Sequence, residues 1–504
     1  MPEGLDRFAS TALRDLVPVD VASLAHRARR RRRSRRGALV ASIAAVLVVP
    51  VALVVLPDRG EQSQEVITGP DNPAGYILTG DPVGTWTQAA DPPFSPRAEA
   101  FSATLNDGRV LVWGGVDDES GGHSEVQPGG LADGGIYDPD ADAWIVIPAP
   151  PEGTGYASAL LEDDRLLVLG RDDQVSRAAV YDVATNTWTV APERPFTGME
   201  GTVGWNGETV VAIATGRFTA ADGAPAPELT TTRWTLGENR WQPGVPFPLT
   251  PRSLAGSDAN GDLVAIWGGT STTLSEDLPL PDLGNDEGLL GDGAIYDIAT
   301  DTWATLPAAP IEPATDPALL WEDGRLLVGG GNDGRSDHEW TASHRRTPAR
   351  FDPATGDWQV LPPGPRISFD GVVPANSPTG PSIQYDFGPP TFVVAADSGG
   401  ARGLHTWFLH DDEWEQAPYV SIHGDHDGLL VSSTDWDSGN PEEYPFDLAV
   451  RLGPGRWRPA IAAPFTNRSG SSVRAIGDRI LLIGGYETSA MVPAADAWIF
   501  DPAG

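Results

Sequence analysis

The stretch that decides the fold covers residues 324–358. It reads Gly324-Arg325-Leu326-Leu327-Val328-Gly329-Gly330-Gly331, continues through a polar loop, and ends in Arg350-Phe351-Asp352-Pro353-Ala354-Thr355-Gly356-Asp357-Trp358. A short apolar run between glycine turns, followed by an aromatic residue, an Asp-Pro turn and a Trp, is typical of antiparallel hairpins. One such sheet cannot bury both of its faces by itself, so we expect neighbouring sheets of the same kind.

Further copies of this unit follow one another along the chain. An aromatic residue precedes a Trp by seven positions in six places, and Val450 precedes Trp457 by the same distance. The aromatic pairs are Tyr137 and Trp144, Tyr181 and Trp188, Trp234 and Trp241, Tyr296 and Trp303, Phe351 and Trp358, and Trp407 and Trp414. Apolar runs that end in two glycines recur at Gly114-Gly115, Gly268-Gly269 and Gly484-Gly485. Equal spacings repeated this often indicate a repeat architecture.

The repeat resembles the kelch motif of β-propellers. The matching marks are the paired glycines, the aromatic-Asp-Pro turn, the Trp that follows it, and Pro-Arg before the first strand at Pro96-Arg97 and Pro251-Arg252. The resemblance covers roughly residues 84–504 and implies an all-β, kelch-type β-propeller. One Trp per unit predicts eight four-stranded blades, or seven if a unit without glycines is an insertion. The counted residues are Trp86, Trp144, Trp188, Trp241, Trp303, Trp358, Trp414 and Trp457.

The two ends of the repeat region complement each other. Phe500-Asp501-Pro502-Ala503 matches Phe351-Asp352-Pro353-Ala354, but no Trp strand follows it. An unmatched Trp strand, Gly84-Thr85-Trp86-Thr87, lies before the first complete unit. Pairing the two segments would complete the last sheet and remove the exposed edges of an open ring. The sequence therefore predicts a propeller that is closed by its N- and C-terminal strands.

The N-terminal region has a different composition. Residues 1–37 hold ten Arg against four acids, and residues 38–56 are nineteen residues without a charge. An α-helix of that length spans about 28 Å, enough to cross a bilayer. The positive-inside rule then predicts a basic cytoplasmic tail (1–37), a single transmembrane helix (38–56), a linker (57–83) and an extracytoplasmic propeller (84–504). Ser34-Arg35-Arg36 also resembles part of a twin-arginine export signal, but no small-x-small cleavage site follows, which favours an uncleaved anchor.

Charge and cysteine content exclude several classes of function. The chain carries a net charge of −36, and since residues 1–37 contribute +6, the remainder carries −42. Such a domain repels phosphate backbones, so we expect no nucleic-acid partner. The absence of Cys excludes disulfides and thiolate zinc sites. It also excludes the Cys–Tyr cross-link on which copper chemistry depends in the galactose-oxidase-like propellers that this repeat resembles.

Candidate binding residues collect in the long loops between the second and third strands of the units. These loops cover 116–134, 216–232, 270–293 and 332–349, and extra loop length on one edge of a rigid scaffold is typical of binding sites. They carry Asp117, Asp118, Asp286, Glu287, His123, His338 and His344. Four arginines precede first strands near the ring mouth, where they could bind an anionic ligand or pair with nearby carboxylates: Arg97, Arg252, Arg366 and Arg468.

The sequence favours neither a metal nor another cofactor. The loop acids lack a calcium-binding D-x-D-x-D-G pattern, so we interpret them as solubilising charge. His423, Asp425 and His426 form the densest metal-like group, but they lie at a first-to-second-strand turn and lack partner ligands at fixed spacing. We interpret this group as a polar turn.

The composite prediction is a membrane-anchored, extracytoplasmic propeller that binds a protein or a cell-surface glycan through its long loops. Two alternatives stay open. One is a carbohydrate-active hydrolase or lyase with acidic residues at the propeller axis, since a propeller brings distant blades together there. The other is a transmembrane sensor that reports binding through its tail. Propellers host many unrelated activities, so the resemblance alone does not decide among them.

Overall fold

The structure is a computed structural model, and it describes residues 77–117, 131–150, 158–171, 176–192, 201–216, 230–271, 288–331, 347–364, 382–383, 392–397, 404–410, 412–418, 421–424, 430–433, 448–465, 468–487 and 492–504. Within these ranges the regular elements are 36 β-strands, β1 to β36. No helix among the described residues is long and apolar enough to cross a membrane, and the predicted span at 38–56 lies outside them.

The first five sheets each consist of four consecutive antiparallel strands. Sheet 1 is β3 (Phe101–Thr104), β4 (Val110–Trp113), β5 (Gly134–Asp138) and β6 (Ala143–Ile147). Sheet 2 is β7 (Ser158–Glu162), β8 (Arg165–Arg171), β9 (Ser176–Asp182) and β10 (Thr187–Val190). Sheet 3 is β11 (Gly201–Trp205), β12 (Thr209–Ala214), β13 (Thr231–Thr235) and β14 (Gln242–Pro243). Sheet 4 is β15 (Gly256–Asn260), β16 (Leu263–Trp267), β17 (Gly293–Asp297) and β18 (Thr302–Thr305). Sheet 5 is β19 (Ala318–Glu322), β20 (Arg325–Gly329), β21 (Ala349–Asp352) and β22 (Asp357–Val360).

The remaining sheets contain the degenerate units and both ends of the propeller. Sheet 6 is β23 (Ser382–Ile383), β24 (Phe392–Asp397), β25 (Leu404–His410) and β26 (Glu413–Ala417). Sheet 7 has five strands: β27 (Ser421–Gly424), β28 (Leu430–Ser433), β29 (Leu448–Gly453), β30 (Arg456–Pro459) and β1 (Ile77–Leu78). Sheet 8 is β32 (Ser472–Ile476), β33 (Arg479–Ile483), β36 (Ala497–Asp501) and β2 (Thr85–Gln88). A small sheet joins β31 (Arg468–Ser469), β34 (Tyr486–Glu487) and β35 (Val492–Pro493).

The second strands are buried on both faces because each sheet lies between two others. In β4, Val110 and Val112 pack against sheet 8, whereas Leu111 and Trp113 pack against sheet 2. Alternate side chains of a strand point to opposite faces, so a run that contacts two neighbours must be apolar throughout. The same arrangement explains the apolar runs in β16 and β33.

Buried contacts connect the sheets into a ring. Separate apolar clusters lie between sheets 1 and 2, 2 and 3, 3 and 4, 4 and 5, 5 and 6, 7 and 8, and 8 and 1. Between sheets 6 and 7, the Arg451 guanidinium lies 2.6 Å from the Glu415 carboxylate. The predicted all-β propeller is confirmed. The expectation of four strands in every blade is wrong for sheet 7, because β1 adds a fifth strand at its edge.

Closure by the two ends is also confirmed. β2 pairs antiparallel with β36, and Trp86 lies directly opposite Phe500 with ring centroids 5.1 Å apart. The chain therefore finishes sheet 8 from both sides, which leaves β36 paired on both edges.

A tyrosine hydroxyl bonds to the turn in three of the units that share the seven-residue spacing. Tyr137 donates to Asp142 at 2.7 Å, Tyr181 to Asn186 at 2.8 Å and Tyr296 to Asp301 at 2.6 Å. Asp142 and Asp301 have φ angles of 46° and 53°, a left-handed turn conformation that Asp tolerates. In sheet 5 the aromatic is Phe351, which has no hydroxyl, and Gly356 takes the turn position. Loss of the donor therefore accompanies loss of the acceptor.

The Trp at the end of the spacing joins its sheet to the preceding one. The indole N–H donates to a backbone carbonyl just after the outer strand of the sheet before it. Seven such bonds of 2.6–3.1 Å are described: Trp86 to Ile461, Trp144 to Ala90, Trp188 to Pro148, Trp241 to Pro192, Trp303 to Val245, Trp358 to Pro307 and Trp414 to Pro362.

Two units depart from the pairing that their spacing suggested. In sheet 6 it is Leu409 that pairs with Trp414, and Trp407 pairs with Gln416, so the Trp407–Trp414 spacing does not mark the aromatic pair. In sheet 7 a register shift between Arg451 and Gly453 places Arg451 opposite Trp457. In sheet 6 the turn between the third and fourth strands has two residues, where sheet 1 has four. In sheet 7 the irregularity itself changes which residue lies opposite the Trp.

Deleting residues 498–504 should lower the melting temperature of the whole domain in one transition. The deletion removes most of β36, so β2 loses its partner and the ring opens. Thermal unfolding followed by circular dichroism measures the effect. A chain that lacks only residues 503–504 keeps β36 and serves as the control. An unchanged melting temperature after the longer deletion would contradict closure.

Candidate binding rim

The connections of the propeller fall on two faces. The loops that join second to third strands are long at 114–133, 215–230, 268–292 and 330–348, and we call this face the long-loop rim. The opposite face carries the turns after first and third strands, and we call it the short-turn face. Neighbouring short turns contact each other there: the Asn106 N–H donates to Asp164 at 2.9 Å, and the Asn206 amide donates to Asp262 at 2.8 Å.

A buried arginine organises the base of the first long loop. Arg97 donates to the carbonyl oxygens of Gly114 at 2.8 Å and Asp133 at 3.0 Å, and to the Asp133 carboxylate at 2.7 Å. Its guanidinium carbon lies 4.3 Å from the centre of the Phe94 ring. One side chain thus holds both ends of the loop that connects β4 to β5. Burial lowers the pKa of Arg97, although Asp133 opposes this shift.

Sheets 4 and 8 repeat the arrangement. Arg252 contacts the Gly268 carbonyl at 3.1 Å and the Asp292 carboxylate at 2.8 Å. The corresponding contacts in sheet 8 join Arg468 to Gly484 and Asp496. Phe247 and Phe465 take the place of Phe94. We call each set an arginine–diglycine module, formed by Arg97, Gly114 and Asp133, by Arg252, Gly268 and Asp292, and by Arg468, Gly484 and Asp496.

The paired glycines let the backbone of the neighbouring segment approach closely. Gly484 has a φ of 62°, and a Cβ atom there would clash with the Arg97 carbonyl oxygen. The next residue, Gly485, donates its N–H to that same oxygen at 2.9 Å, which joins sheet 8 to sheet 1. Only glycine combines this conformation with this approach. Sheet 5 keeps Gly330-Gly331, but Ala314 stands where the other sheets have the arginine, and Ala314 accepts the equivalent bond from Gly269 at 2.8 Å.

The predicted site residues fall into three groups. Arg97, Arg252 and Arg468 are buried and have carboxylate partners, so their contacts are those of structural ion pairs. Asp117 is exposed on the long-loop rim. The expectation that His423 lies in a turn is wrong, because it belongs to β27, where its backbone pairs with Val431. The other candidates lie outside the described residues: Asp118, His123, Asp286, Glu287, His338, His344, Arg366, Asp425 and His426. Their binding roles stay predictions.

Sequence reasoning missed the acidic partners of the modules. Asp133, Asp292 and Asp496 each come directly before a third strand, but they follow their arginines at different distances because the loops differ in length. The local signal is the Asp-Gly pair at Asp133-Gly134 and Asp292-Gly293, which marks the start of the strand. Without the topology, nothing connects this pair to an arginine far upstream.

The accessible charge at the modules is negative. The Arg97 and Arg252 side chains are 2% and 0% exposed, whereas Asp133 and Asp292 are 44% and 53% exposed. The cations are therefore hidden beneath the acids that they pair with, and Asp117 and Asp316 add further exposed carboxylates at this face. Among the described residues, no group of three or more His, Asp or Glu side chains could hold a metal ion.

One inner-strand carboxyl has an unusual environment. Asp258 on β15 accepts the Trp321 N–H of sheet 5 at 2.6 Å and the N–H of Ala259 at 2.7 Å. Burial among the inner strands raises its pKa to about 7. A raised carboxyl pKa near the axis is what the hydrolase alternative requires, but both oxygens of Asp258 are engaged by backbone donors. We interpret Asp258 as a connection between sheets 4 and 5.

Fold and rim together define a β-propeller with kelch-like repeats. A sequence comparison agrees: the chain is 24% identical over 261 residues to the protein described as "Kelch-like protein terF" of Aspergillus terreus. The match covers 49% of this chain and 52% of that relative, so the chain spans about half the length of the curated relative it matches. No family model matches the chain.

Replacing Arg252 with Ala should lower the free energy of unfolding by about 1–3 kcal/mol, because charge-assisted hydrogen bonds to Gly268 and Asp292 are lost. The exposed Asp292 remains hydrated, which limits the cost. Urea unfolding measures the difference. Arg240→Ala, the same change at an exposed turn, is the matched control and should stay within about 0.5 kcal/mol of the wild type. Equal effects of both variants would show that the module does not stabilise the fold.

Asp258→Asn should flatten the pH dependence of stability. The folded-state pKa of about 7 exceeds the ordinary Asp value of about 3.9, so the folded chain retains a proton that the unfolded chain releases. The stabilisation is full below about pH 4 and is lost as the pH rises through about 7. Urea midpoints between pH 5 and pH 8 should therefore fall more steeply for the wild type than for the variant. Parallel curves would refute the assignment, and Asp140→Asn controls for loss of a surface charge.

Proposed function

We propose that this chain is a protein-binding module that engages its partner through the long-loop rim. The observation that carries the proposal is the construction of the rim. Three arginine–diglycine modules fix the ends of connections on a single face, and two of them hold the long loops at 114–133 and 268–292. A rigid base beneath long loops is the usual arrangement of a binding surface on a scaffold. The kelch-like relative supports protein rather than glycan as the partner class.

We infer further that the partner presents basic residues to this face. Asp133 and Asp292 expose about half of their side chains, while the arginines beneath them are inaccessible. Complementary charge promotes encounter and selects among partners. A cell-surface glycan is the competing ligand class, and an uncharged glycan would bind with little dependence on salt.

We propose that the propeller is held outside the cell by a single membrane span. The uncharged stretch at 38–56 and the ten arginines before it support this topology, with residues 1–37 in the cytoplasm. Protease added to intact cells should then digest the propeller and spare the tail. Protection of the propeller would overturn this topology.

We infer that sheet 7 is a full blade, which makes the ring eight-bladed. Leu448 and Val450 of sheet 7 pack with Val473 of sheet 8, as the neighbouring faces of successive blades do elsewhere. On its other side, Arg451 bonds to Glu415 of sheet 6. The hydrolase and sensor alternatives have no comparable support among the described residues.

The binding proposal is tested with charge reversals on the two faces. Once a partner has been cross-linked to the chain on cells and purified, Asp117→Lys should weaken its binding by about tenfold at low salt, since one close charge pair contributes about 1.4 kcal/mol. The loss should shrink at high salt. Asp140→Lys makes the same change in an exposed turn of the short-turn face and should leave affinity unchanged. If only Asp140→Lys weakened binding, the interface would lie on the short-turn face, and the proposal would be wrong.

A further inference from the structure

Residues 77–83, just before β2, form backbone hydrogen bonds to the edge of sheet 7. Ile77 donates its N–H to the Gly455 carbonyl at 2.9 Å, and Thr79 donates to the Trp457 carbonyl at 2.9 Å. Val83 then exchanges two bonds with the next connection, donating to Pro459 at 3.0 Å and accepting from Ile461 at 2.8 Å. We call residues 77–83 the strap. It runs parallel to β30 and fastens sheet 7 to sheet 8 before it becomes β2.

The direction of the strap decides where the chain enters the ring. Its first residue, Ile77, bonds to Gly455, which lies in the turn between β29 and β30. That turn joins third and fourth strands, so it belongs to the short-turn face. Six residues later the strap has reached the end of β30, where Val83 bridges to Ala460. The chain therefore enters at the face opposite the long-loop rim.

We infer that the strap orients the propeller, with the short-turn face towards the membrane and the long-loop rim towards the outside. The inference deepens the proposed function and rests on its membrane anchor. It also goes beyond it, because an anchor alone does not say which face is presented. A partner in solution or on an opposing surface would then reach the rim without obstruction.

The length of the linker favours this orientation. Twenty residues, 57–76, separate the predicted span from the strap. A flexible chain of that length has a relaxed end-to-end distance of about 25 Å, and a typical strand is about 17–20 Å long. To turn the rim towards the bilayer, the linker would have to run back along the full height of a sheet, which would take up most of its relaxed length. With the short-turn face towards the bilayer, the linker starts beside the membrane and its whole length stays available.

The chain has no Cys, so introduced cysteines carry labels only at the chosen positions. Asp478 lies in an exposed short turn of sheet 8, and Val492 is an exposed side chain on the rim of the same sheet. In the full chain, a spin label at Ala74→Cys paired with Asp478→Cys should give a shorter mean distance than the same label paired with Val492→Cys. This measurement does not require a membrane. Equal or reversed distances would overturn the strap as an orienting device.

Vesicles test the orientation itself. With the full chain in liposomes, a donor at Asp478→Cys should transfer energy to a bilayer acceptor more efficiently than a donor at Val492→Cys. Ser271→Cys on the rim and Ala299→Cys on the short-turn face form a second pair in sheet 4, which separates orientation from tilt. Stronger transfer from both rim positions would contradict the proposal. Failure of the chain to float with the vesicles would overturn the anchor, while the spin-label distances would still decide the role of the strap.

A strap-breaking variant supplies the causal test. Ile77→Pro with Thr79→Pro removes the two N–H groups that bond to Gly455 and Trp457, and should abolish the difference between the distances to Asp478 and Val492. Alternate residues of a parallel strand face the same partner, so the Leu78 N–H points away from β30. Leu78→Pro is therefore the matched control and should keep most of the difference. The same loss in both variants would show that these hydrogen bonds do not set the orientation.

Discussion

The structure depends on the fact that each sheet must bury both of its faces. Val110 and Leu111 are neighbours in β4, yet they contact different sheets, one on each side. A protein made of such sheets has no natural end, because a terminal sheet would expose an apolar face to water. Closing the ring removes that exposure, and the pairing of β2 with β36 is the means by which this chain closes it.

Apolar burial is not directional, so it does not fix the position of one sheet relative to the next. The polar contacts between neighbouring sheets do. Indole bonds such as Trp144 to Ala90 fasten the outer strands, and the arginine–diglycine modules fasten the rim. The two sets act at different radii and on different groups, so a unit can lose one and keep the other. Sheet 5 illustrates this: Ala314 replaces the arginine, while Trp358 still bonds to Pro307. Because the two sets of contacts are independent, a degenerate repeat that has lost one set is still held in the ring by the other.

Much of the fold was predictable because the repeat brings distant residues into equivalent places. The spacing from Tyr137 to Trp144, and the match of Phe500 to Phe351, were enough to predict the sheets and their closure. The strap was not predictable, since residues 77–83 lack the alternation of a strand and read as linker. Their pairing depends on the open edge of β30, which only the assembled sheet provides. The register of sheet 6 was missed for a related reason: Trp407 keeps the seven-residue distance to Trp414, but it is Leu409 that pairs with Trp414.

The candidate site was predictable in its position and only partly in its chemistry. Arg97 and Arg252 lie just before first strands, as the sequence indicates, but their partners Asp133 and Asp292 follow loops of different length, so no fixed distance connects them. The structure therefore exposes the opposite charge to the one that the sequence suggested for these positions. Arginines that suggested an anionic ligand are buried, and in the described part of the rim the carboxylates of Asp133 and Asp292 are the accessible members of these ion pairs.

Closure can be measured most directly by oxidative cross-linking across the seam. Thr87 lies opposite Ile499 in the pairing of β2 with β36, so Thr87→Cys with Ile499→Cys should form a disulfide within one chain. Thr87→Cys with Trp498→Cys shifts the pair by one residue and turns the second side chain to the other face, so it should form far less. Rapid intramolecular bonding of the first pair alone is the result that the closed ring predicts. A disulfide that forms only between chains, or equally in both variants, would contradict it.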